Sequence, residues 1–135
     1  AHFAAILAAA GRFEQADALV ASMRDFAIAD QGTLGPRYSA AGIPAAEAAI
    51  AHRKGEYQRV ADLLMPVRHQ LWQMGGSHAQ RDVFTRLTIE SALLGGYPDA
   101  AEQMLHERRR LRGGFEDGYT RRRLDLLNAA RERAV

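Results

Sequence analysis

Cysteine is absent from this chain. That removes disulfides, thiolate metal sites and a cysteine nucleophile, and it suits a reducing, cytoplasmic setting. Lysine is almost absent: Lys54 stands alone among eighteen basic residues. Arginine bias of that kind is the mark of a high-GC bacterial genome as much as of guanidinium chemistry. No apolar run approaches the roughly 20 residues that cross a bilayer, so no membrane partner is expected. Residues 3–10 are apolar, but no basic segment precedes them as in a signal peptide. Strand-like alternation of polar and apolar residues is missing throughout. So are G-x-S-x-G, H-E-x-x-H and phosphate-cradling glycine loops. The five histidines, His2, His52, His69, His78 and His106, share no ligand spacing and no acid cluster joins them. Neither a metal site nor a cofactor is expected. Asp82 and Glu90 lie eight residues apart on one predicted helix, too far for an acid–base pair. The chain is read as non-catalytic.

What is present describes one domain. A chain of 135 residues, 47% hydrophobic and 25% charged, has the length and composition to bury a core in water. It begins at Ala1 without a methionine and is expected to be a piece of a longer protein. The net charge of +2 is unevenly spread. From His106 onward nine arginines face five acids. The densest run is Arg108, Arg109, Arg110 and Arg112, followed by Arg121 to Arg123. Interleaved Glu107, Glu116, Asp117 and Asp125, and few aromatics, make this the solvated outer face of a terminal helix rather than a phosphate-binding stripe.

Three segments share a spacing: Gly11-Arg12-Phe13 with Ala16, Gly55-Glu56-Tyr57 with Val60, and Gly95-Gly96-Tyr97 with Ala100. Each joins two apolar helical runs. The glycine ends the first helix in a left-handed conformation. The aromatic fills the wedge between helices, and the small residue lets them cross closely. This is the turn inside a tetratricopeptide helix pair, although the glycines fall 44 and 40 residues apart, wider than the standard repeat. Residues 30–42, with Gly32, Gly35, Pro36 and Gly42, read as a loop. Pro44 opens the next helix. Pro66 kinks a helix spanning about 57–74. The predicted fold is all-α: an antiparallel helix-pair array, a tetratricopeptide-like α-solenoid of about seven helices. Its pairs cover about residues 1–29, 44–74 and 77–112, and a capping helix covers about 118–133.

The run Gly75-Gly76-Ser77-His78-Ala79-Gln80-Arg81-Asp82-Val83-Phe84 separates the second pair from the third. Two glycines end one element, and Ser77 with Gln80 forms a capping box that starts the next. The run resembles the signature segment of the tetratricopeptide repeat protein 38 family, whose members carry G-G-S-x-A-Q-R-D-V-F in their C-terminal part. Ala1-His2-Phe3, Gly42-Ile43-Pro44 and Leu63-Leu64-Met65-Pro66-Val67-Arg68 resemble family segments too, so the similarity covers most of residues 1–112. Residues 30–41 are shorter than the family's loop, and the last helix matches only in kind. The resemblance implies the C-terminal third of a longer protein. The family has no established activity, so it implies no catalytic residue.

Capping accounts for Ser77 and Gln80, and packing for Val83 and Phe84. His78, Arg81 and Asp82 are left over at a helix start, where an anion would be welcome. The bland account has Asp82 favouring the helix dipole and Arg81 pairing with an acid on the neighbouring helix. In a tetratricopeptide array the first helix of each pair lines the groove. That rule projects Asp82, Thr85, Arg86 and Ile89 into it, with His52 and His2 from earlier pairs. The partner-binding candidates are therefore His78, Arg81, Asp82, Thr85, Arg86, Ile89 and His52. The expected function is a protein–protein interaction scaffold that docks a protein or peptide or pairs with itself. A C-terminal module of a longer enzyme, and nucleic-acid binding through the arginine-rich helices, are the alternatives.

Overall fold

The computed structural model describes residues 1–134. Helix α1 (His2–Ala9) pairs with α2 (Phe13–Ala29). A short α3 (Leu34–Arg37) leads through a π-helical turn (Tyr38–Gly42) into α4 (Ile43–Arg53), which pairs with α5 (Tyr57–Leu64). A 3-10 segment (Arg68–Met74) precedes the third pair, α6 (His78–Leu94) and α7 (Pro98–Leu111), and α8 (Gly118–Ala134) closes the chain. Among the described residues there is no strand, and no helix is long and apolar enough to cross a membrane.

One turn recurs at each helix end that folds the chain back. Gly11, Gly55, Gly96 and Gly113 have φ of +72°, +78°, +80° and +67°. The residue after each donates its amide to a carbonyl five residues back: Arg12 to Leu7 (2.9 Å), Glu56 to Ala51 (2.9 Å), Tyr97 to Ala92 (2.8 Å) and Gly114 to Arg109 (3.0 Å). This is the Schellman cap, which satisfies the last free carbonyls of a helix and needs a residue without Cβ at the left-handed position. The third turn lies one residue later than the Gly95–Tyr97 spacing implies. Gly95 is still helical at φ −83°, and Gly96 makes the turn. The fully buried small residue of that pair is accordingly Ala101, the counterpart of Ala16 and Val60, and Ala100 is only half-buried. Gly95 is required for space instead: a Cβ there would lie 2.9 Å from the Ser91 carbonyl oxygen and from the Tyr97 ring.

Two further expectations are corrected. Residues 30–42 are helical from Leu34 onward and not a loop. The Asp30 carboxylate accepts the Gly35 amide at 2.7 Å and so starts α3. Pro36 sits in the first turn, where its missing N–H has no helical partner to lose. Pro44 lacks the N–H for the Ala40 carbonyl, and the wider π turn just before it relieves the clash of its ring. Pro66 ends α5 rather than kinking it; the chain turns and resumes as 3-10 helix at Arg68.

The core is a row of three clusters with shared walls. The first joins Ala4 and Ala8 of α1, Val20 and Met23 of α2, and Ala46 and Ile50 of α4. The second joins the opposite face of α4 (Ala45, Ala48, Ala49) to Val60, Leu64, Leu71 and Phe84. The third joins Ile89 and Ala92 of α6 to Met104 and Leu105 of α7 and Leu127 of α8. Helix α4 touches α1, α2, α5 and α6, and its alanines let four neighbours approach one axis.

Gly55→Val should destabilise the fold by more than about 1 kcal/mol, because a β-branched residue resists the left-handed region. No neighbour lies within 4 Å of a Cβ at Gly55, so chemical denaturation would read the conformational cost alone. An unchanged midpoint would rule out the Schellman turn.

Candidate functional site

The run 75–84 is a joint with several outlets. Gly75 and Gly76 both have positive φ, +73° and +75°. The capping box closes in both directions: the Gln80 amide donates to Ser77 Oγ at 3.2 Å, and the Ser77 amide donates to Gln80 Oε1 at 2.7 Å. Arg81 turns back on the hinge. Its guanidinium donates to the Gly76 carbonyl and, at 3.4 Å, to that of Gly75, and it lies 3.3 Å from His78 Nδ1. The expected pairing of Arg81 with an acid on a neighbouring helix is not what the fold uses. His2 Nε2 donates to the Gln80 carbonyl at 3.0 Å, and its ring meets Phe84 edge-on at 5.0 Å, which ties α1 to α6. Val83, expected to pack inward, is 47% exposed.

Asp82 reaches across to α7. Its two oxygens accept from Nε and Nη2 of Arg108, each at 2.8 Å. On the other side of the same guanidinium, Asp117 accepts from Nη1 at 2.9 Å and stands 2.8 Å from Nη2, and Thr120 Oγ1 accepts from Nη1 at 2.7 Å. Asp117 also accepts the Thr120 amide at 2.9 Å, which caps α8. Arg108 thus donates four hydrogen bonds to oxygens, the second Asp117 oxygen lies against Nη2, and the side chain is only 3% exposed. Burial alone would raise the Asp82 carboxyl, but the hydrogen bonds from Arg108 outweigh it and hold it below its ordinary value. Asp117 is driven down chiefly by its bond to Arg108, and Arg108 is raised in turn, chiefly by Asp82.

A second polar knot lies beside it. Tyr119 Oη donates to Glu90 at 2.7 Å, and Arg123 Nε donates to the same oxygen at 2.7 Å. The Tyr119 ring has the guanidinium carbons of Arg86, Arg123 and Arg108 at 4.6, 5.1 and 5.3 Å. Helix α8 buries few apolar side chains, so these contacts hold much of it in place. The C-terminal arginines were expected to be a solvated face. Arg108 is instead buried, and Arg109, Arg112, Arg123 and Arg131 all pair with acids.

Between the 3-10 segment, the first half of α6 and the end of α7 lies a cleft of about 730 Å³. His78, Arg81, Asp82 and Thr85 line it, so four of the sequence candidates come together. Three do not. Ile89 is fully buried in the third core cluster, because the period of α6 turns it toward α7 and α8. Arg86 bonds Asp82 at 3.0 Å and covers Tyr119. His52 packs on Tyr57 and its Nδ1 lies 2.7 Å from Ser91 Oγ, which joins α4 to α6; burial holds its pKa low. The cleft is therefore bounded by the end of the second pair and both helices of the third, not by the first helices of successive pairs. Other lining residues had no local signal. Arg68 donates to Glu107 through Nε and Nη2 at 3.0 and 3.2 Å, across 39 residues of sequence. Leu71 and Met104 lie at its base and are buried. Trp72 is 60% exposed, and Leu111 is 84% exposed. The arrangement can seat a group that is part apolar and part anionic. Among the described residues, no three His, Asp or Glu side chains cluster closely enough to hold a metal ion. No protein-family model matches this chain, and no solved structure matches it.

Arg108→Ala should cost about 1–3 kcal/mol, since Asp82 and Asp117 would keep only the more exposed Arg86 and Arg112 as charged partners, whereas Arg110→Ala, on the exposed face, should stay within about 0.5 kcal/mol. Urea titrations of both variants would test the contrast; equal effects would deny Arg108 its role. Asp82, Glu90 and Asp117 all have lowered folded-state pKa values. They bind fewer protons folded than unfolded, so their contribution is complete above about pH 5 and is lost as pH falls through about 4 and below. Denaturation midpoints that stay level down to about pH 3 would contradict this.

Proposed function

We propose that this chain is a tetratricopeptide-like helix-pair array, of the kind its hinge run resembles, and that it docks a peptide segment of a partner protein in the cleft between the 3-10 segment, α6 and α7. Three pairs closed by the same cap support the array reading. So do the contacts of α1 with α4 and of α4 with α6, which link the first helices of successive pairs as stacked repeats require. The observation that carries the function is the cleft itself. It has the size of a ligand site, and its apolar residues are split between a buried base and an exposed tryptophan and leucine at the rim. Large exposed apolar side chains beside a cavity are the usual anchors of an interface. Pairing of most C-terminal arginines within the fold favours this reading over nucleic-acid binding along those helices.

Peptides selected from a random library against the domain should shift amide resonances at residues 68–74, 78–85 and 104–112. Trp72→Ala should weaken them about tenfold or more while moving folding stability by less than about 1 kcal/mol. Selected peptides that shift only α1 and α2 would overturn the assignment.

A further inference from the structure

The charge in the cleft narrows the occupant. Four guanidiniums line it, from Arg68, Arg81, Arg108 and Arg112, against two carboxylates, from Asp82 and Glu107. The carboxylates are already taken: Glu107 by Arg68 and Asp82 by Arg108. Arg112 shares Asp117. Arg81 differs from the others. Its partners are two glycine carbonyls and a histidine nitrogen, and among the described residues it forms no ion pair. It is a half-buried cation held in position by neutral groups, facing a space with an apolar base. A cation so placed is pre-positioned for a carboxylate, because holding the side chain still has already cost its rotamer freedom.

Resting on the cleft reading above, we infer that the occupant is an acidic peptide, with a carboxylate meeting Arg81 and a large apolar side chain lying against Trp72 and Leu111. With Asp117 set against Arg112, the one charge left over is that of Arg81, and it complements an acidic segment. The apolar rim demands a bulky neighbour to the acid. A single-stranded nucleic acid fits less well. It would need several free cations and more than one stacking ring, and here one cation is free of ion pairs and one ring is exposed.

Trp72 is the only tryptophan in the chain, so its fluorescence reports the cleft directly. The probes are short synthetic peptides of one sequence in three versions: glutamates beside leucine or phenylalanine, the glutamates replaced by glutamine, and the glutamates replaced by lysine. Short oligothymidylate is the fourth. The acidic version should quench or shift Trp72 fluorescence and bind about tenfold tighter than the glutamine version, with the advantage shrinking as salt rises. Arg81→Gln should erase that advantage, and Arg81→Lys should keep part of it. Glutamine peptides that bind as well as acidic ones, or lysine peptides that bind better, would overturn the inference while leaving the cleft a docking site. No response of Trp72 to any peptide would overturn the cleft reading itself. Tighter binding of oligothymidylate, or a Trp72 signal that depends only on protein concentration, would replace the acidic peptide by a nucleic acid or by a second copy of the chain. The glutamate-to-glutamine comparison leaves the protein untouched, so it decides the matter even if Arg81→Gln fails to fold.

Discussion

Arg108 lies almost wholly out of water, and three helices depend on its being paired. Withdrawing a guanidinium from solvent costs several kcal/mol unless its donors are matched. Here Asp82 of α6 takes one edge, and Asp117 and Thr120 at the start of α8 take the other. Helix α7, which carries Arg108, is thereby bonded to the helix before it and to the helix after it. The arrangement is cooperative in a specific way. Losing either aspartate leaves one edge of the buried cation unmatched, and losing the cation leaves Asp82 and Asp117 only the more exposed Arg86 and Arg112, so no partner can leave cheaply. Asp117 adds a further dependence because the same carboxylate caps α8. Docking of α8 and formation of its first turn are one event.

The same ion pair shapes the cleft. Asp82 and Arg108 form part of its wall, and their bidentate contact fixes the spacing of α6 and α7 there. On the opposite side Arg68 and Glu107 do the same for the 3-10 segment and α7. The cleft is thus framed by two cross-helix pairs whose charges cancel. A surface built this way is rigid and nearly neutral, and its character is set by what the pairs leave over: Arg81, Trp72 and Leu111. Rigid framing also lowers the entropy lost when a ligand settles.

Local signals made the helix pairs legible. A glycine, an aromatic and a small residue at fixed offsets describe a cap and a helix crossing, and both are decided within one turn of chain. The third pair shows the limit of that reasoning. With Gly95 and Gly96 adjacent, spacing alone chose the wrong one, because Gly95 answers to a steric contact with Tyr97 and the Ser91 carbonyl, and Gly96 answers to φ. Residues 30–42 misled for a related reason: glycine and proline are loop residues on average, yet Pro36 and Pro44 sit where a helix tolerates them. The candidate site was half legible. His78, Arg81, Asp82 and Thr85 follow from the helix start at Ser77. Arg108, Glu107 and Arg68 act across 26 to 39 residues of sequence, and nothing local marks them. Charge runs read as solvated by default, and only packing can reveal that one of four neighbouring arginines points inward.

The hinge run is therefore more than a boundary between pairs. Gly75 and Gly76 reverse the chain, Ser77 and Gln80 start α6, Phe84 enters the second core cluster, and Asp82 reaches α7. Arg81 binds the glycine carbonyls and so holds the turn that the glycines make possible. Without that clamp two successive residues at positive φ would have little to choose one conformation over another. The clamp has a second consequence. By spending its donors on neutral carbonyls, Arg81 keeps its charge unpaired at the mouth of the cleft. The turn that joins the second pair to the third thus presents a fixed cation, and the candidate site follows from the joint.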